Sequence, residues 1–330
     1  MSKQNDTSRS EKRITKNKRK KRILFILLPI MILLASATIY GTSLLNKADE
    51  IVGESFVDDG RDGSELRKID IDPKRHNVSI LFIGVDDSEK RSDSNPRSDA
   101  LVLATLNKED KSVKLLSIPR DSYVYIPEVG YEDKITHAHA FGGPKATIEA
   151  VEGFLDIPVD YYVKMDFEAF IDVVNVLDGV KVNVPYELYE QNSEDVKNAI
   201  HLLPGEQKLN GEEALALART RKYDSDIERG KRQQEIIKAI AKQTLSFSSI
   251  FKVNNLMEAV GNNMTTNLTF DELKSFASYG TSSDLNIDTI NITGDDKKID
   301  GIYYYELDQD DLLSKSQQLQ KHLGILHNNS

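Results

Sequence analysis

The chain has 330 residues, no Cys, no Trp, five Met and a formal net charge of −10. Without Cys there are no disulfides, thiolate metal sites or cysteine nucleophiles, and with so few Met and no Trp we expect no dominant aromatic surface. Residues 1–22 hold ten Lys and Arg against two Asp and Glu, so the other 308 carry a net −18, which argues against nucleic acid as a partner of the body.

Residues 1–22 end in KNKRKKR and show no apolar period. They read as a disordered, cytoplasmic basic tail, a nucleic-acid patch being the competing reading. From Ile23 through Leu45 there is no charge. About 20 apolar residues cross a bilayer, and the abutting positive cluster keeps the N-terminus inside. We therefore expect a single-pass transmembrane anchor at 23–45. The alternative is a cleaved signal peptide, for which the apolar run is too long. Residues 46–76 turn polar and acidic and read as an extracellular stalk. The compact domain is expected over 77–330.

Three short apolar runs follow: Val78–Val85, Ala100–Leu106 and Val113–Ile118. They read as strands buried on both faces. Chemistry stands at their ends. The first ends in Asp86 and Asp87, the second is entered through Arg97, Ser98 and Asp99, and the third ends in Pro119, Arg120 and Asp121. If the strands are neighbours, these groups gather at one sheet edge, where α/β folds bind ligands.

Tyr123 to Gly143 reads as a long loop with Lys134 and a Thr136-His137-Ala138-His139 run. Two histidines two residues apart suggest a metal only weakly, and a structural role reads better. Gly142 and Gly143 mark a turn before a helix from Pro144 to Leu155. A strand (Val159–Met165), a helix (Phe167–Leu177) and a strand (Val180–Val184) follow, and such alternation predicts an α/β domain.

Leu203 to Leu245 reads as a turn, a helix from near Gly211 to Arg221, a polar loop and a longer helix. Ile236, Ile237, Ile240 and Leu245 are that helix's apolar positions, and Gln233, Arg232 and Arg229 continue the stripe. An arginine aimed inward needs an anionic partner. An ion pair with Asp224 or Asp226 is one answer, and a bound anion is the other. Arg219 and Arg221 suit a helix C-terminus, but that reading explains one better than two. Beyond lie helices around Leu256–Met264 and Phe270–Ala277, strands at Leu285–Ile292 and Gly301–Leu307, and a final helix from Asp310 to Leu323.

These motifs occur in the order of a known family: Ile83-Gly84-Val85-Asp86, Arg97-Ser98-Asp99, Ser117-Ile118-Pro119-Arg120-Asp121, Lys134 with Gly142-Gly143, Asp166-Phe167, and Ala218-Arg219-Thr220-Arg221 before Glu228-Arg229. Over Ser79 to Thr244 the chain resembles the LytR–CpsA–Psr proteins of the Gram-positive cell envelope. Thr136 and His139 stand where the family pattern has Asn and Tyr. The resemblance implies a central mixed β-sheet with helices on both faces, an apolar cavity, and a membrane-anchored extracytoplasmic domain. It implies a phosphotransferase that moves a glycopolymer phosphate, such as wall teichoic acid, from a polyprenyl pyrophosphate carrier to a peptidoglycan sugar hydroxyl.

The residues can be assigned roles in that chemistry. Phosphoryl transfer is catalysed mostly by positioning and charge neutralisation. Arg120, Arg219, Arg221 and Arg229 can clamp pyrophosphate, with Lys134 beside them, while Arg97 steadies its loop or a distal phosphate. Asp86 and Asp99 can hold Mg²⁺. Asp99 or Asp121 can take the acceptor proton, although Asp121 can equally cap its turn. A hydrolase using the same site and a non-enzymatic lipid-glycan sensor are the competing functions.

Overall fold

The computed structural model describes residues 49–86, 96–222, 224–245, 263–280 and 285–325, with Ser43, Asn46 and Lys47. All but Ser43 of the expected tail and membrane span, Asp87, and most of the expected helix at 256–264 lie outside the described residues. The chain divides into two units, residues 1–47 and 48–330. Among the described residues no helix is long and apolar enough to cross a membrane.

The second unit is built on six strands in the order β11-β6-β1-β2-β3-β12. They are β1 (Val78–Val85), β2 (Ser98–Asn107), β3 (Ser112–Ile118), β6 (Tyr161–Met165), β11 (Met264–Thr266) and β12 (Asn286–Asn291). β1 is antiparallel to β2 and parallel to β6, and β3 is antiparallel to β2 and parallel to β12. The sheet is therefore mixed. The ends of β1, β3 and β6 and the start of β2 share one edge, as the sequence suggests.

Both faces of the sheet are covered, which is why its central strands read as unbroken apolar runs. On one face Leu81, Ile83, Leu101, Leu103 and Leu116 pack against α1 (Ile135–Leu155) and α6 (Gln309–Leu323). On the other, Ile80, Val102, Ala104 and Val163 pack against α2 (Phe167–Val176), α4 (Asp226–Leu245) and α5 (Phe270–Gly280). A smaller core joins α2, α4 and α3 (Gly211–Arg219) to two antiparallel ribbons, β7 (Val180–Val184) with β10 (Gly205–Leu209) and, between them in the chain, β8 (Leu188–Glu190) with β9 (Ile200–Leu202). An Asn210–Glu213 capping box starts α3 and fixes where it begins.

Several expectations need correcting. The long loop at 123–143 is instead a hairpin, β4 (Tyr123–Ile126) with β5 (Tyr131–Lys134), followed by the first turns of α1. The glycine pair interrupts that helix rather than preceding it, because Gly143 adopts φ +64°. The strand expected at Gly301–Leu307 is present as β14 (Ile302–Leu307), and it pairs with a strand not foreseen, β13 (Gly294–Ile299). The expected stalk is also different: from residue 48 onward the chain belongs to the compact unit. Val52 is buried, Arg61 pairs with Glu152 at 3.2 Å, Arg67 pairs with Asp160 at 2.6 Å, and Tyr162 donates to the Val57 carbonyl at 2.8 Å.

Gly230 lets α4 lie close on β3: a Cβ there would stand 2.5 Å from Ser117 Oγ. Gly230→Ala is expected to cost about 1–3 kcal/mol in chemical denaturation through overpacking. Gly153 in α1 has nothing within 4 Å of an added Cβ. Gly153→Ala is expected to stabilise by about 0.5–1 kcal/mol, as a helix residue gains propensity.

His322 ties α6 to the sheet through Thr105 Oγ1 and Ser112 Oγ, each at 2.8 Å. Burial, with Lys114 adding to it, pulls its pKa from 6.5 down to about 4. The unfolded chain therefore takes up the proton first. The stability His322 contributes is full above pH 6.5 and is lost as pH falls from 6.5 to 4. Denaturation midpoints should fall across that window, and His322→Gln should flatten the dependence.

Candidate active site

A cavity of about 400 Å³ opens at the strand-end edge, between the sheet and helices α2, α3 and α4. Its walls are apolar, including Phe82, Val102, Phe170, Val173, Ile236, Ile237 and Ile240. Ile236 is buried, whereas Ile237 and Ile240 remain partly accessible because they face the cavity. Asp86, Asp99, Arg120, Arg219, Arg221 and Arg229 line it as well.

Local geometry explains each placement. Phe82, Gly84 and Asp86 lie on one face of β1 by strand alternation, so Asp86 continues the cavity-lining stripe. Asp99 owes its position to a bulge. Gly84 pairs with Ala100 and Val85 with Ser98, leaving Asp99 without a partner on β1. Without that bulge Asp99 and Ala100 would point to opposite faces, but here both line the cavity. The backbone entering β2 is braced from α1: Thr136 Oγ1 donates to the Ser98 carbonyl at 2.7 Å, and His139 Nδ1 contacts the Pro96 carbonyl at 2.7 Å. His137 pairs with Asp133 at 2.8 Å. These contacts give the histidine run a structural role.

The arginines converge from three elements. Arg120 follows β3, forms an ion pair with Asp99 and lies 3.7 Å from Asp121. Arg229 stands in the first turns of α4, only 4% exposed, with Asp226 at 3.2 Å. Burial lowers its pKa to about 10; Asp226 opposes this, and the Arg221 and Arg120 charges add to it. Arg221 lies 3.7 Å from the same Asp226. Arg219 lies over the Phe167 ring at 5.1 Å, with Asp195 at 3.9 Å. Among the described residues, the buried Nε atoms of Arg120 and Arg229 have no hydrogen-bond acceptor. Such donors are costly to bury unpaired, and a bound anion would satisfy them.

Three expected site residues do not line the cavity. Arg97 is exposed. Asp121 is buried beside Arg120, and Lys134 contacts it at 2.8 Å. Asp121 and Lys134 thus buttress Arg120 from behind. Arg232 is held by Asp224 and by the Leu217 and Thr220 carbonyls, which bolts α4 to the end of α3. Both ion pairs considered from the sequence exist, yet only Arg229 also reaches the cavity. Gln233 and Phe167 line it too; Gln233 was legible from helical spacing, and Phe167 had only its motif.

Among the described residues no group of three or more His, Asp or Glu side chains is placed to hold a metal. Three carboxylates line the cavity: Asp166 caps α2 by accepting from the Ala169 N–H, while Asp86 and Asp99 suit an ion that takes the rest of its shell from phosphate and water, as Mg²⁺ does.

The model of the LytR_cpsA_psr family matches residues 44–321. The chain belongs to the LytR–CpsA–Psr family. It is 40% identical over 321 residues to the polyisoprenyl-teichoic acid–peptidoglycan teichoic acid transferase TagT of Bacillus subtilis (strain 168), covering 96% of this chain and 99% of that one. It is 36% identical over 311 residues to the TagU transferase of the same strain, covering 93% and 98%. The structure of TagT bound to LIIa-WTA superposes with a TM-score of 0.70 at 42% identity, over 80% of this chain and 97% of that one. The structure of YwtF (TagT) with bound octaprenyl pyrophosphate lipid gives 0.66 at 39%, over 80% and 97%. The sheet with helices on both faces and the apolar cavity agree with what the LytR–CpsA–Psr resemblance implies.

Proposed function

We propose that this chain transfers a glycopolymer phosphate, of the wall teichoic acid kind, from a polyprenyl pyrophosphate carrier to a sugar hydroxyl of peptidoglycan. One observation carries the reading: an apolar cavity opens on a mouth of four arginines and three carboxylates, with two buried guanidinium N–H groups lacking acceptors. An isoprenoid tail needs the walls, and a pyrophosphate needs the mouth. The transferase names and bound ligands of the relatives support it.

In this reading the acceptor oxygen attacks the glycopolymer phosphorus. A new phosphodiester forms, the bond to the bridging oxygen breaks, and polyprenyl phosphate leaves. Arg120 and Arg229 hold phosphate oxygens in two-pronged contacts, while Arg219 and Arg221 neutralise the remaining charge. A mouth carboxylate takes the acceptor proton; Asp99 lines the cavity and Asp121 does not, which favours Asp99. Asp121 and Lys134 keep Arg120 in place. Asp86 and Asp99 would hold Mg²⁺, which supplies charge neutralisation when bound.

The test incubates the full chain in detergent with a polyprenyl-pyrophosphate-linked anionic glycan, peptidoglycan oligomers and Mg²⁺. Covalent transfer to the oligomer with release of polyprenyl phosphate is expected. Release to water alone would assign a hydrolase, and binding without turnover a sensor. Residues 23–45 anchor the chain with its N-terminus inside, in this proposal. Protease added outside wall-stripped cells should then digest the domain, and protection of the domain would refute the orientation.

A further inference from the structure

The fold gathers several tyrosines on the hairpin of β4 and β5 and on β14. Tyr123 and Tyr125 share the outward face of β4, with Val124 and Ile126 buried beneath. Lys134 and Glu132 stand opposite them on β5. From β14, Tyr304 meets Tyr123 edge-on with ring centroids 4.8 Å apart. Lys134 Nζ lies 5.7 Å from the Tyr303 ring centre and 5.6 Å from that of Tyr304, and Lys297 caps Tyr123 at 5.5 Å. Tyr125 is 55% exposed.

This surface reaches the support of the active site: Lys134, at its inner end, lies 2.8 Å from Asp121, which lies 3.7 Å from the cavity-lining Arg120. The Tyr303 phenol donates to Asp296 at 2.9 Å, and burial raises its pKa, with Asp296, Asp121 and Asp226 adding to the effect.

We infer that the tyrosine surface of β4 and β14 is where the acceptor glycan strand docks. This rests on the proposed transfer and names the side from which its acceptor arrives. The cavity holds only about 400 Å³, so a donor lipid leaves no room within it for a second long polar chain. An acceptor must cross the outer surface to put a hydroxyl at the mouth. Pyranose rings offer C–H faces that lie on aromatic rings, and hydroxyl edges that suit nearby charged groups. Here tyrosine rings alternate with Lys134, Lys297, Glu132 and Glu306. A bilayer would favour an unbroken apolar patch instead.

The test measures binding of end-labelled, peptide-free glycan strands from purified peptidoglycan to the full chain in detergent. Binding of a polyprenyl pyrophosphate analogue and of anionic vesicles is measured in parallel. Losing the rings in the double variant Tyr125→Ala/Tyr304→Ala should weaken strand binding about ten-fold or more and leave analogue binding unchanged. Tyr125→Ala alone, at an exposed site that does not threaten folding, should lose part of that affinity. Tyr304→Phe, which keeps the ring, should bind strands nearly as wild type. Unchanged strand affinity in the alanine variants overturns the inference, as does loss of vesicle binding instead. If wild type fails to bind the analogue yet binds strands through these tyrosines, the transfer reading fails and the docking surface stands.

Discussion

Arg229→Lys should fold normally and lose transfer about a hundred-fold or more, the scale on which enzymes lose a preorganised donor to a developing charge. Lysine keeps the positive charge but not the planar fork, and its stem does not place a donor where Nε now lacks an acceptor. Arg120→Lys should behave alike, because both guanidiniums line the same cavity mouth from different elements. Melting curves separate this role from a structural one. Burial chiefly lowers the Arg229 pKa, and the neighbouring Arg221 and Arg120 charges add to it, so the site gathers cations that repel. A polyprenyl pyrophosphate analogue should therefore raise the wild-type melting temperature through linkage, and most of that rise should vanish in either variant. If the arginines served only their ion pairs with Asp226 and Asp99, the variants would melt lower without ligand and gain as much from it as wild type does.

If Asp86 and Asp99 hold Mg²⁺ as proposed, removing it should be as damaging. Chelation is expected to abolish turnover, and Asp86→Ala or Asp99→Ala to cut Mg²⁺-dependent transfer by roughly 3 kcal/mol, about a hundred-fold. Asp86 is only partly buried, so its loss should change stability by no more than about 0.5–1 kcal/mol. Asp99→Ala does more, since it also frees Arg120 from its ion pair. Full activity in chelator with Asp86→Ala would remove the metal from the mechanism.

The sequence shows some of this site and hides the rest for physical reasons. Asp86 is readable because strand alternation from Phe82 and Gly84 is strict. Arg229 is readable because helical spacing from Ile236 and Ile240 is regular. Asp99 is placed by a bulge, which depends on pairing between two strands and leaves no local signal. The close approach at Gly230 is invisible for the same reason, since Ser117 is far away in the chain. The hairpin at Tyr123–Lys134 is masked by charges on β5, whose outer side chains need no apolar pattern. Arg61 and Arg67 make 46–76 look like a solvated stalk, but both are buried in ion pairs with the domain. The tyrosine surface combines two segments too distant for composition to connect.

The most direct measurement is a crystal structure of the full chain or its 48–330 unit with a polyprenyl pyrophosphate analogue and Mg²⁺. The isoprenoid should lie along Phe170, Ile237 and Ile240, with phosphate oxygens within hydrogen-bond reach of the Arg120 and Arg229 guanidiniums. A tail bound outside this cavity, or phosphates that touch neither guanidinium, would contradict the proposed site.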